Sequence, residues 1–132
     1  MNFEIINPQS LGVPRGWNNG ILAPPGGRIL FVAGQGPSDA SGAIPDAGFV
    51  AQFARALENV LAVVREAGGR PESVARLTIY VTDIAAYRAS LKPLGDAYRS
   101  LMGRHYPAMA LMEVTALLDP KALVEIEGTA VI

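Results

Sequence analysis

The sequence predicts an α+β fold, a mixed β-sheet with two helices on one of its faces. Three observations lead there. Phe49, Val50, Phe53, Leu57, Val60, Leu61 and Val64 recur at helical spacing. Val74 to Asp83 alternates as a strand does, with Leu77, Ile79 and Val81 on one face. Strand-like runs flank these segments, giving the order three strands, helix, strand, helix, two strands.

Asn2 to Ile6 reads as a short first strand, followed by a loop from Asn7 to Trp17 with two prolines and two glycines. Asn18 to Ala23 is the second strand, closed by the turn Pro24-Pro25-Gly26-Gly27. Arg28 to Gly34 is rich in β-branched and aromatic residues and apolar on both faces, so it is expected to be buried on both sides. A loop from Gly36 to Pro45 leads into the first helix, with Asp46 as candidate N-cap and Gly68-Gly69 as its stop. Ile84 to Met102 forms a second helical stretch with the stripe Leu91, Leu94, Tyr98 and Leu101, kinked or restarted at Pro93. Ala108 to Leu118 and Ala122 to Ile132 are the closing strands, joined at Asp119-Pro120-Lys121.

With 132 residues the chain fits one domain spanning 1–132. Hydrophobic residues make up 50% and glycines add 14 more, while charged residues are only 17%, against about a quarter in ordinary domains. So little charge cannot cover a small domain, and burial of the helix-free sheet face in a homo-oligomer is expected. Net charge is −1 without a basic cluster, which argues against a nucleic-acid partner. The absence of cysteine excludes a disulfide scaffold and a thiolate nucleophile. Neither a leader nor a membrane span is read from the apolar runs, so a cytoplasmic location is expected.

Few residues offer chemistry. His105 stands alone, no metal-ligand spacing appears, and no cofactor is expected. Gly34-Gln35-Gly36 lacks the third glycine of a dinucleotide fingerprint. The notable polar groups are carboxylates within apolar strands: Glu113 in MALMEVTAL, Glu125 and Glu127 in LVEIEGTAV. Alternation puts Met109, Leu111, Glu113 and Thr115 on one face, and Leu123, Glu125, Glu127 and Thr129 on one face of the next strand. Glu113 and Glu125 are a candidate water-activating pair if the strand register brings them together. Solvated or subunit-bridging acids are the plainer alternative.

RILFVAGQGP, then ALENVLAVVREAGG, VARLTIYVTDI, YPAM with a following EV, and VEIEGTAV form an ordered set that resembles the reactive-intermediate deaminase (Rid, or YjgF) family, from about Asn7 to Ile132. The resemblance implies a chorismate-mutase-like fold: a six-stranded mixed sheet, two helices on one face, and three sheets closing into a barrel-like homotrimer with ligand clefts between subunits. It also implies hydrolysis of 2-imino or 2-enamino acids to 2-oxo acids and ammonia. Carried over, the Gly-Gln turn is Gly34-Gln35, the water-positioning glutamate is Glu125, and the aromatic of the early loop is Trp17. The family's substrate-anchoring arginine is replaced by Met109, with Ala110 and Leu111 beside it; a thioether cannot pair with a carboxylate. Leu91 or its neighbour stands where many members carry asparagine. Arg15 is near enough to Trp17 in sequence to supply a cation, although a solvent-facing loop arginine is the default reading.

Two functions follow. The first is a Rid-type hydrolase of altered substrate using Glu125, with Glu113 as a further ligand contact. The second is a non-catalytic homotrimer that binds a small metabolite. A ribonuclease, described for some members, fits the acidic balance least.

Overall fold

The computed structural model describes residues 2–44 and 47–132. Its strands are β1 (Glu4–Ile6), β2 (Gly20–Leu22), β3 (Ile29–Gln35), β4 (Val74–Val81), β5 (Ala108–Glu113) and β6 (Val124–Val131). The helices are α1 (Gly48–Glu66), α2 (Ile84–Ala89) and α3 (Leu91–Met102). The main sheet is mixed and four-stranded, in the order β3-β6-β4-β5, with β4 and β5 parallel. All six expected strands are present, but β1 and β2 form a separate antiparallel ladder. The turn at Pro24–Gly27 therefore does not close a hairpin. Asn18 bridges to Ala108 on the β5 edge, and residues 23–28 must carry the chain to β3 at the other edge.

The stripe read from the sequence is the core. Phe53, Leu57, Val60, Leu61 and Val64 of α1 pack on Leu77, Ile79 and Val81 of β4 and on Val124 and Ile126 of β6, all buried. Truncating one such leucine to alanine costs about 2–5 kcal/mol. Helix α1 ends where expected: Gly68 takes φ +92° and the Gly69 N–H bonds the Val64 carbonyl. Its start differs, since Ala47 is the N-cap without a side-chain bond, and Asp46 lies outside the described residues.

Three local expectations change. The second helical stretch breaks at Ser90, and Pro93 falls in the first turn of α3, where its missing N–H leaves no intrahelical bond unmade. Leu91 is exposed, and Met102 is the buried residue at the far end of the stripe. Strand β3 is not buried on both sides within the chain. Val32 faces the core, whereas Ile29 is 62% and Phe31 79% exposed on the face without helices.

β5 and β6 are likewise not neighbours, because β4 runs between them. Register then decides which side each residue takes. Leu77, Ile79 and Val81 of β4 pair with Met109, Leu111 and Glu113, so these share the helix-covered face. Tyr80 pairs with Glu125 and Thr78 with Glu127, which puts both glutamates on the open face.

Candidate active site

The arrangement on the open face separates the two glutamates of β6. Glu127 accepts a hydrogen bond from the Tyr80 hydroxyl at 2.5 Å. That bond, with burial, raises the Tyr80 pKa above its ordinary value. Glu125 makes no side-chain hydrogen bond or ion pair among the described residues. Its carboxyl instead lies against Gly34, where a Cβ would sit 2.9 Å from Glu125 Cδ and Oε2. Register shifts between Val32 and Gln35, so Gly34 sits in an irregular stretch of β3. The glycine leaves the space the carboxylate fills. Gln35 turns back, its Nε2 donating to Ala33 O at 3.1 Å.

Glu125 borders an open hollow of about 530 Å³ between the loop after β3 and the 117–122 turn. Two amides of α1 hold these walls. Asn59 Nδ2 donates to the carbonyls of Gly36 and Ser38, both at 2.9 Å. Buried Gln52 donates to Lys121 O at 3.1 Å and accepts from Leu123 N at 2.8 Å. Asp39 closes the first loop on itself, accepting from Ser41 Oγ, Ser41 N and Ala43 N; these bonds hold its pKa below the ordinary value. The sequence reading missed Gln52 and Asn59. Their signal was present: two amides seven residues apart on one helix, beside an apolar stripe.

The other expected residues stand elsewhere in the chain. Glu113 and Glu125 do not converge, because they occupy opposite faces of the sheet. Glu113 Oε1 accepts from Ile84 N at 3.0 Å, capping α2 together with Asp83, which accepts from Ala85 N and Ala86 N. Ala110 pairs with Thr78 and so lies on the open face. Met109 and Leu111 line a second hollow, of about 320 Å³, between α3 and β5. Trp17 follows Gly16, which lines this hollow, but is not itself in the lining, and its Nε1 donates to Asn19 Oδ1 at 3.1 Å. Arg15 and Arg99 line this second hollow as well, and Arg99 was not singled out from sequence. His105 faces Val74 O at 2.6 Å through Nε2, which must carry the proton to meet a carbonyl.

The open face holds no helix, and no helix among the described residues is long and apolar enough to cross a membrane. Chemically, the site offers one unengaged carboxylate beside a glycine and, across the sheet, an apolar hollow with two guanidinium groups.

A family model described as Endoribonuclease L-PSP matches residues 13–132. A RutC family protein of Pyrococcus abyssi is 33% identical over 106 residues, 79% of each chain. A 2-iminobutanoate/2-iminopropanoate deaminase of Capra hircus is 33% identical over 106 residues, 79% of this chain and 73% of that protein. Among solved structures, the Rid-family protein YyfB of Yersinia pestis superposes with a TM-score of 0.87 at 32% identity, covering 100% of both chains. The YjgF gene product of E. coli superposes with a TM-score of 0.70 at 27% identity, covering 95% of this chain and 92% of that one. On sequence and on fold together, the chain belongs to the Rid/YjgF family.

Proposed function

We propose that the protein is a Rid-family hydrolase that releases ammonia from a small imine or enamine in clefts between the subunits of a homotrimer. The observation that carries this reading is the state of Glu125: a carboxylate without a hydrogen-bond partner among the described residues, seated on a glycine, while Glu113 and Glu127 are engaged elsewhere. A general base needs to reach one water, and an engaged carboxylate is less available to do so. Glu125 takes a proton from water as its oxygen attacks the C=N carbon. Returning that proton to nitrogen gives the neutral amino alcohol; Glu125 then takes the hydroxyl proton and nitrogen receives it as the C–N bond breaks, leaving the carbonyl and ammonia. The relatives named 2-iminobutanoate/2-iminopropanoate deaminase support this class of chemistry.

Met109 argues for an altered substrate. A thioether gives no charged hydrogen bond to a carboxylate, and such a bond in a cleft is worth about 1.5–3 kcal/mol. The exposed Ile29, Phe31 and Met112 on the open face support the trimer, since an apolar sheet face in water is unfavourable and three copies could cover one another's. Because Glu125 and Met109 lie on opposite faces of one sheet, the cleft in this reading joins Gly34 and Gln35 beside Glu125 of one subunit to Trp17, Met109, Ala110 and Leu111 of its neighbour. Glu113 serves it indirectly by capping α2.

The test is turnover. Imines are generated in situ by an amino-acid oxidase from amino acids with small, branched and aromatic side chains, and their loss is followed with and without the protein. Acceleration is expected for some of these imines and weak or absent for 2-iminopropanoate. No acceleration for any of them would favour the metabolite-binding trimer, for which the replaced anchor at Met109 is the specific argument.

A further inference from the structure

We propose that Gln52 and Asn59 are positioning residues that make α1 a gauge. They set the gap between the two loops flanking Glu125, and so the place of water and substrate against its carboxylate. The two amides are seven residues apart, nearly two helical turns, so both leave α1 on one side, about 10 Å apart along its axis. No other side chain of α1 hydrogen-bonds outside the helix among the described residues.

Each amide grips the backbone on either side of a buried residue. Asn59 places both Nδ2 hydrogens on the carbonyls of Gly36 and Ser38, which bracket Pro37. Gln52, itself 5% exposed, engages Lys121 O and Leu123 N, which bracket Ala122. Pro37, Ala122 and Glu125 line one hollow, and neither amide is in that lining. The amides therefore act through the backbone they hold and not by touching a ligand.

The gripped loops are stiff in themselves. Asp39 N donates to Ala43 O at 2.9 Å, and Gly42 N to Asp39 O at 3.0 Å. In the other loop Lys121 N donates to Asp119 Oδ1 at 2.9 Å, and Ala122 N to Asp119 O at 3.0 Å. Each loop moves as a unit, and its attachment to α1 decides where it stands. The attachments lie close to the carboxylate from both directions. Leu123 precedes Glu125 by two residues, and Gly36 follows by two residues the Gly34 against which the Glu125 carboxyl lies. Reach is then what the gauge fixes. Asn59→Gln and Gln52→Asn keep the donors and acceptor of an amide and change its reach by one methylene, about 1 Å; a misplacement of that size can cost about 100-fold in rate.

This deepens the hydrolase reading and rests on it for the role of Glu125 in turnover, so turnover and the carboxylate are read separately. On the full protein, kcat is measured with the best imine, and the carbon-13 carboxyl signal of Glu125, assigned with Glu125→Gln, is followed by NMR at one fixed pH. Asn59→Gln and Gln52→Asn should each lower kcat at least tenfold and move that signal. Val64→Ala truncates a fully buried residue near the far end of α1; it should lower the melting temperature while leaving kcat within about twofold and the signal in place. Asn59→Asp keeps the length and removes both donors; it should behave as Asn59→Gln does and serves in its place if the longer side chain prevents folding. Parent-like kcat in both amide variants, or a loss in Val64→Ala equal to theirs, would overturn the proposal. If the parent turns over no imine, the hydrolase reading falls and the signal alone decides. Unmoved in both amide variants, it overturns the gauge; moved in them and not in Val64→Ala, it upholds it.

Discussion

Replacing Gly34 with alanine separates the position of Glu125 from the stability of the fold. The new Cβ would lie 2.9 Å from the Glu125 carboxyl carbon and one of its oxygens. Carbon–carbon contacts are favourable at about 3.5–4.0 Å, so the carboxyl must retreat by about 1 Å. Nothing in the backbone resists the change. Gly34 is not among the glycines with positive φ, and the three atoms nearest the new Cβ all belong to the flexible Glu125 side chain. Reduced freedom of the unfolded chain even favours alanine by about 0.4–1 kcal/mol. Gly34→Ala should therefore melt within a few degrees of the parent. A misplacement of about 1 Å at a reacting group can cost about 100-fold in rate. The assay is imine loss at saturating substrate, paired with a thermal melt. A variant with the parent's kcat would refute the argument that the glycine sets the carboxylate's place. A variant that fails to fold would refute the packing behind it.

Three other expectations concern assembly and stability. Phe31→Asp puts a charge on the open sheet face, where burial of a phenyl ring contributes about 1.5–3 kcal/mol per copy, and should turn a trimer into monomers in sedimentation velocity; an unchanged sedimentation coefficient would show that this face is not the interface. Gln52→Ala leaves Lys121 O and Leu123 N without their partner and should cost about 1–3 kcal/mol in urea unfolding, with a larger loss of activity than of secondary structure. The third concerns Asp39, whose folded-state pKa is lowered from 3.8 by its Ser41 and Ala43 bonds. Its stabilising contribution is therefore present above that value and lost as pH falls through the folded pKa. The gap in urea midpoint between the parent and Asp39→Asn should narrow below about pH 4 and stay constant above about pH 5.

Local features were legible in the sequence and long-range ones were not. The α1 stripe, the alternation of Leu77, Ile79 and Val81, and the stop at Gly68 depend on neighbours within a turn or two, and each is found in the structure. The insertion of β6 between β3 and β4 depends on pairing across about fifty residues to β4 and about a hundred to β3, which periodicity does not encode. The registers of β4 with β5 and with β6, equally unreadable from periodicity, put Glu113 and Glu125 on opposite faces and divided the expected site between two hollows. The apolar outer residues of β3 suggested burial on both sides because composition cannot tell core from interface. The role of Gly34 was half legible, since a strand glycine signals a close approach without naming what approaches. Asn18, fastened to Tyr106 and Pro107, gave no sequence signal among the loop's other polar residues.

The most direct test of the account compares three single variants, Glu125→Gln, Glu127→Gln and Glu113→Gln, for kcat on the best imine found. Loss of a general base typically costs about 100- to 10,000-fold. Glu125→Gln should show a loss in that range with an unchanged melting temperature, Glu113→Gln should lose mainly stability through the α2 cap, and Glu127→Gln should keep most of its rate. An active Glu125→Gln enzyme, or an equal collapse of kcat in Glu113→Gln at full stability, would contradict the assignment of the water-activating role to Glu125 alone.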